Sequence, residues 1–390
     1  MKISGYGKIS NVPAEDAELT HVTAGTPMGE VLRRYWQPVC LSQDIDELPK
    51  LVKILGEELV VFRDRSGRVG VLDAHCVHRG ASLEYGRIEA EGIRCCYHGW
   101  LFSTDGTCLE QPGEPPASRF REKVAQPFYP AREYGGLVFA YMGPPDKQPG
   151  FPRFDVLARP GMELFAYRNI SRGAIAQCNW LQIQENAMDP VHTAFLHSTI
   201  SSRQFTDIYA TLPQLDFEET AHGMKYIRTA KLPSGRTFVR VQENFTPNMR
   251  SVADNLTPDR LFSESATLIG WWVPVDNINT IGFHIEAVDP ADKEKVSTFF
   301  KAKEGRTAGT QEAHGDYADT QRNPDDKEAQ VSQRPIAVHA LERLGTTDRG
   351  VIMFRKLLRR AIKDVQEGRD PQNASPDAVS ITVIAGNTVT

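Results

Sequence analysis

Four residues in two short runs are spaced to hold metal. Cys76-Val77-His78 and Cys95-Cys96-Tyr97-His98 read as C-x-H, sixteen residues, then C-x2-H. Two thiolates and two imidazoles satisfy either a tetrahedral zinc or a 2Fe–2S cluster. In the cluster, the cysteines hold one iron and the histidines the other. Neutral imidazoles in place of two thiolates raise the reduction potential. Gly80 and Gly99 follow the two pairs and let the backbone turn close to the sulfurs. Spacing alone leaves zinc and cluster both open.

A second set lies downstream, in Glu185-Asn186-Ala187-Met188-Asp189-Pro190-Val191-His192-Thr193-Ala194-Phe195-Leu196-His197. Two imidazoles and one carboxylate on one face of an iron leave positions open for O2 and substrate. Asp189-Pro190 reads as a helix start, with Asp189 capping and Pro190 at the first position. Five residues on a straight helix turn through about 500°, roughly 140° off-face. His192 and His197 can meet one ion only if the turn bulges or ends near His197. Taken alone, the run also reads as a surface helix.

These residues need two kinds of scaffold. From Gln37 to about Pro144 the chain is written in short strands, including Leu51–Leu55, Glu58–Arg63, Val69–Leu72 and Leu137–Met142, broken by Gly56, Ser66 and Gly67. This density predicts a small antiparallel sandwich or barrel. The Pro- and Gly-rich stretch from Gly143 to about Pro160 marks the boundary, giving domains 1–150 and 151–390. Beyond it, strand signals at Met224–Ala230, Thr237–Phe245 and Thr267–Val275 mix with helices. The fold class is α+β: an all-β first domain, then a mixed antiparallel sheet with helices. Val351, Phe354, Leu358, Ile362 and Val365 recur at helical period, closed by Gly368. The other face carries Arg355, Lys356, Arg359, Arg360 and Lys363; it reads as a solvated face ahead of a docking patch for an acidic redox partner. Residues 1–25 read as a loose polar arm, a short helix starts at Thr26-Pro27, and 301–327 reads as a charged loop or lid.

Composition narrows the function class. The 390 residues are 40% hydrophobic and 24% charged, ordinary for a globular enzyme. A net charge of −5 offers no broad basic surface for nucleic acid. No apolar run is long enough to span a membrane, and the first residues lack a signal-peptide stretch, so a cytoplasmic enzyme is expected. Six cysteines make no disulfide framework in so long a chain.

Together the motifs resemble one family, the Rieske non-haem iron aromatic-ring oxygenases. The C-x-H and C-x2-H boxes match its cluster signature, and Asn186-x2-Asp189-x2-His192-x4-His197 matches its iron signature. Gly25-Thr26-Pro27-Met28-Gly29, Arg34-Tyr35-Trp36 and the Arg334-to-Gly350 stretch look like the phthalate dioxygenase branch, built of α subunits only. The resemblance implies a Rieske 2Fe–2S cluster on Cys76, His78, Cys95 and His98, and a mononuclear Fe(II) on His192, His197 and a distant carboxylate. Aligning Gln330-x-Ser332-x2-Pro335-Ile336 with that branch puts the third ligand at Asp326, with Asp325 and Glu328 as rivals. It also implies that Asp189 bridges His98 of one subunit to His192 of the next, within a trimer or stacked trimers. Cys96 stands where the family usually has proline and is expected as a buried structural thiol. Cys40, Cys108 and Cys178 are expected in the core.

The family's reaction is oxygenation of an aromatic substrate: ring dihydroxylation, hydroxylation, or oxidative cleavage of an aryl ether or O-methyl group. No flavin- or nicotinamide-binding Gly-rich fingerprint appears, so a separate NAD(P)H-dependent flavin/iron–sulfur reductase must supply electrons. Arg228 shares a strand face with Met224, Tyr226 and Ala230, and Arg240 shares one with Phe238. A guanidinium on such a face suits a substrate carboxylate, or an internal salt bridge. The branch commonly acts on aromatic acids, which favours the carboxylate. Trp271 and Trp272 point to opposite faces of their strand. Two other classes remain: a zinc-binding protein without catalysis, and a Rieske electron carrier with no use for His192, His197 and Asp326.

Overall fold

The computed structural model describes residues 11–169, 175–197, 207–253, 266–292, 294, 317–377 and 380–390. The first half is all antiparallel. β1 (Trp36–Leu41) pairs β10 (Leu137–Tyr141), which pairs β9 (Ala131–Tyr134). β2 (Lys50–Ile54), β3 (Glu57–Arg63) and β4 (Val69–Asp73) form a meander. β5 (Arg87–Glu89), β6 (Gly92–Arg94), β7 (Leu101–Phe102) and β8 (Cys108–Glu110) form a four-stranded sheet. The expected strands are all present within a residue or two.

The second half begins with β11 (Arg153–Phe154), which pairs in parallel with β19 (Ser380–Ile381). Its main sheet has eight strands: β12 (Glu163–Asn169), β13 (Gln214–Glu219), β14 (Gly223–Lys231), β15 (Thr237–Phe245), β16 (Met249–Ala253), β17 (Ala266–Asp276), β18 (Asn279–Val288) and β20 (Gly386–Val389). The order is β12-β18-β17-β16-β15-β14-β13, with β20 beside β15. Helices α3 (Trp180–Asn186), α4 (His192–Phe195), α5 (Tyr317–Arg322), α6 (Asp326–Val331) and α7 (Arg349–Gln366) accompany it. The α+β expectation stands. Among the described residues no helix is long and apolar enough to cross a membrane.

One core runs through both halves. Phe139 of β10 meets Trp271 of β17 edge-on at 5.4 Å. The turn between β2 and β3 reaches across as well: Leu55 and Gly56 take φ 52° and 84°. Their amides donate to the Pro274 and Val275 carbonyls, both at 2.8 Å. A leucine holds that left-handed backbone because its side chain is fully buried and its N–H is engaged. A smaller core stands apart and includes Phe62, Leu72, Cys76, Cys95, Trp100 and Phe102. The two candidate ligand cysteines are therefore core residues of the cluster-bearing half.

One expectation changes and two are sharpened; residues 1–10 of the expected arm lie outside the described residues. The segment 11–25 is no loose arm: α1 (Ala17–Thr20) buries Leu19, and the buried Val22 donates its amide to Asn277 Oδ1 at 2.9 Å. The next helix, α2 (Pro27–Leu32), is capped by Thr26 as expected and packs on α7. In the stretch 301–327, residues 301–316 lie outside the described residues, and the rest holds α5 and the start of α6. The basic face of α7 is largely neutralised in place. Arg355 pairs with Glu185 and Glu342, Arg359 with Asp16 and Glu18, and Arg360 with Glu219. Little of it remains to draw an acidic partner.

Candidate functional site

The two cysteine–histidine runs fold into matching turns. The Gly80 amide donates to the Cys76 carbonyl at 2.8 Å, and the Gly99 amide to the Cys95 carbonyl at 3.0 Å. The amides of Cys76 and Cys95 donate to Ala81 and Trp100, both at 2.9 Å. Gly80 and Gly99 take φ 74° and 72°, a backbone that side chains disfavour. Cys76 and Cys95 are buried, His98 is exposed and His78 half-buried. The His78 and His98 rings lie 4.5 Å apart, and Trp100 stacks on His78 at 4.2 Å. The turns therefore present sulfur inward and imidazole outward.

This donor set fits a two-iron cluster better than zinc. A tetrahedral zinc holds its ligands about 2.0–2.3 Å away, so all four donor atoms crowd within about 4 Å of one another. Among the described residues these four donors do not converge as a group of three on one point, whereas three donors elsewhere in the chain, a mononuclear trio, do. The cysteines form one pair and the histidines another, as two separate irons require. Burial pushes the Cys76 thiol up to about 12, against the pull of the His78 and Arg79 amides. A thiolate there needs the positive charge of a metal. Burial and the neighbouring His98 lower the pKa of His78, favouring the neutral form that binds metal.

That mononuclear trio is His192, His197 and Asp326. Helix α4 starts at His192, two residues after Pro190, and Leu196 and His197 continue it in π geometry. The wider turn absorbs the five-residue spacing that a straight α-helix cannot. Asp326 is the first residue of α6 and aims Oδ1 at both rings, 3.6 Å from His192 Nε2 and 3.4 Å from His197 Nε2. Asn186 Nδ2 donates to the same oxygen at 3.1 Å. The rivals have other work. Asp325 caps α6, and Glu328 closes the capping box by accepting the Asp325 amide at 2.9 Å. Gln182 ties α3 to this region: Nε2 donates to the Gln330 and Arg334 carbonyls, and Oε1 accepts the Ala337 amide.

Asp189 caps the turn before α4, accepting the Val191 amide at 3.0 Å. Its backbone carbonyl accepts from His192 Nδ1, with a carboxylate oxygen 3.8 Å from the same nitrogen. The side chain is 35% exposed. Within one chain no hydrogen bond joins Asp189 to His98.

Arg228 and Arg240 sit directly opposite each other on β14 and β15, both buried. Arg240 donates to Tyr226, Tyr209, Gln242 and Asn387. Arg228 is fully buried and spends only Nη2, on the Tyr209 and Thr211 carbonyls. Its Nε and Nη1 have no hydrogen-bond partner among the described residues. The short helix carrying Tyr209 packs on α4, the helix that begins at His192. Trp271 belongs to the large core and Trp272 packs with Ile183 and Cys178. Cys96 is exposed, correcting the buried thiol expected there: it follows Cys95 at the tip of an outward turn. Cys40, Cys108 and Cys178 are buried.

Sequence reasoning gave no role to Asn186, Gln182 or Trp100. Asn186 stands in the iron signature and could have been flagged. A buried glutamine or a stacked tryptophan leaves no spacing to read.

Comparison with known proteins agrees. Residues 35–127 match the Rieske [2Fe-2S] domain, and 176–364 the vanillate O-demethylase oxygenase C-terminal domain. The chain is 41% identical over 404 residues to a tert-butanol monooxygenase / tert-amyl alcohol desaturase oxygenase subunit of Aquincola tertiaricarbonis, covering 99% of this chain and 83% of that one. It is also 41% identical over 379 residues to the phenoxybenzoate dioxygenase subunit alpha of Ectopseudomonas oleovorans, covering 94% and 89%. A solved structure, Pseudomonas putida CBB5 NdmA with caffeine, shares the fold at TM-score 0.65 and 21% identity, over 91% of this chain and 98% of that one. With cluster turns in the first half and a two-histidine, one-carboxylate trio in the second, the chain belongs to the Rieske non-haem iron oxygenases, as the terminal oxygenase subunit of a multicomponent system.

Proposed function

We propose that Cys76, His78, Cys95 and His98 hold the 2Fe–2S cluster, and that His192, His197 and Asp326 hold one Fe(II). The observation that carries this is the convergence of two ring nitrogens and one carboxylate oxygen from distant segments. When bound, the cluster supplies single electrons and the lone iron supplies the place where O2 is reduced and transferred. The chain's own groups do the rest. Asp189 fixes the His192 ring through its carbonyl, and its half-exposed carboxylate is free to meet the exposed His98 of a neighbouring subunit. Such a contact calls for a homotrimer or stacked trimers, with a separate NAD(P)H-dependent flavin/iron–sulfur reductase upstream.

The substrate is an aromatic carboxylate. Arg228 supports this: a buried guanidinium with two unmet donors is costly unless a ligand meets them. Arg240 is already engaged by neutral acceptors, so it positions Tyr209 and Tyr226 beside Arg228. The phenoxybenzoate relative acts on an aryl ether acid, whereas the tert-butanol relative acts on a small neutral alcohol. Oxygen uptake with a compatible reductase decides between them, screened over benzoates, phthalates, phenoxybenzoates and tertiary alcohols with product mass spectra. Coupled turnover of the acids supports the reading. Turnover of neutral alcohols alone overturns it.

A further inference from the structure

Gln126 lies beneath the first metal turn and is 1% exposed. It belongs to a strand-like segment that runs beside β4; the Asp73 amide donates to the Pro127 carbonyl at 2.9 Å. Its carboxamide makes three hydrogen bonds to one loop. Nε2 donates to the Asp73 carbonyl at 3.0 Å and the His75 carbonyl at 2.9 Å. Oε1 accepts the Val77 amide at 2.8 Å. Cys76 is thus bracketed on both sides by a single buried side chain. Both N–H donors and the carbonyl oxygen of that amide are engaged, so its orientation is fixed.

The second turn is braced differently. Arg94 Nη1 donates to the Gly99 carbonyl at 2.6 Å, while Arg94 is held by Glu89 and Glu110. Cys96 occupies the place in this turn that Val77 occupies in the first. Its amide has no acceptor among the described residues. The two otherwise matching turns therefore differ in one backbone donor: one is committed to Gln126, the other is not.

Donors near a cluster matter because reduction adds a negative charge to its sulfurs. Each N–H directed at them stabilises the reduced form and raises the potential. We propose that Gln126 is a positioning residue for electron transfer, which holds the Val77 amide away from the cluster sulfurs and so keeps the potential lower than the turn alone would set it. This rests on Cys76 and Cys95 being cluster ligands. That premise is tested separately, by the visible absorption and electron paramagnetic resonance of the unmodified protein.

The test uses the cluster-loaded full chain. Gln126→Leu keeps the buried volume and frees the Val77 amide. That amide belongs to the residue next to Cys76, and without Gln126 it is released to turn toward the cluster side of the loop. The expected result is an upward shift in midpoint potential and altered g values, with iron and sulfide per chain unchanged. Gln126→Asn, one methylene short, should shift the potential in the same direction by less. A loaded leucine variant with the parent potential and spectrum overturns the proposal. If the leucine variant does not load, the asparagine variant decides. An upward shift there supports the proposal; no shift, or loss of its cluster too, means that Gln126 only holds the loop together and overturns it.

Discussion

The two metal centres are built on different principles. The cluster turns are compact: both proposed ligand pairs sit on tight, glycine-closed turns, one after β4 and one after β6, rooted in their own small core. The mononuclear centre is assembled from afar. Its histidines ride a helix that must widen into π geometry, and its carboxylate heads another helix far along the chain. The first depends on backbone hydrogen bonds that form within a few residues, with Gln126 and Arg94 each bracing one turn. The second depends on the docking of α3 against α6, through Gln182 and Asn186. The cluster turns should therefore survive damage elsewhere, while the iron trio should fail whenever that docking loosens.

The sharpest way to break this comparison is to remove the distant ligand. Asp326→Ala should abolish turnover and strip the lone iron while leaving the cluster's absorption and spin signal intact. Metal analysis beside the visible spectrum checks it; loss of both centres together would erase the distinction drawn here. Asp189→Asn comes next. It keeps the Asp189 carbonyl that fixes His192 but discharges the proposed bridging group, so both metals stay and turnover falls by about 10–100-fold. Stopped-flow reduction of the cluster should remain fast while its reoxidation by O2 and substrate slows. Parent turnover in that variant would remove Asp189 from the electron route.

Arg228→Met tests the proposed carboxylate contact. A buried charge-assisted contact contributes about 1.5–3 kcal/mol, so kcat/KM for a carboxylated substrate should drop about 10–100-fold. Neutral analogues should lose little, and an equal loss for acids and neutrals would assign Arg228 to structure alone. Gln182→Ala should act more gently, through position only. Loosening α3 from α6 should weaken iron retention about 10-fold in chelator competition without moving the cluster potential. A moved potential would mean that the centres are not built independently.

What could be read from the sequence follows the same division. The cluster turns repeat a short spacing with a glycine after each pair, and backbone geometry alone makes that pattern informative. The five-residue histidine spacing predicted a distorted turn, and Leu196-His197 supply one. Asp326 was legible only by family alignment, because nothing local distinguishes it from Asp325 or Glu328. Capping chemistry separates them once α6 is in view. The polar segment 11–25 misled because a few buried apolar residues, Leu19 and Val22 among them, outweigh its polar composition. The basic stripe of α7 could not reveal that its acids come from Asp16, Glu18, Glu185, Glu219 and Glu342, scattered through the chain.

The smallest expected effect separates the two cluster turns from each other. The second turn is braced by Arg94, and Arg94 and Arg87 hold the Glu89 carboxyl down to about 2. A depressed carboxyl contributes stability that is fully present above its unfolded value near 4.5 and is lost as pH falls through about 2. The group is near the surface, so solvent screening limits its contribution to about 0.5–1 kcal/mol. Glu89→Gln should therefore lower Tm slightly at neutral pH. Because the variant has no such proton to take up, the gap between the two proteins should close as pH drops from about 4.5 towards 2. Melting followed by far-UV dichroism reads the gap directly. A gap that stays constant over that window would mean that the Arg94 brace is geometric and owes nothing to the charge on Glu89. The second turn would then be held, as the first is by Gln126, through neutral hydrogen bonds.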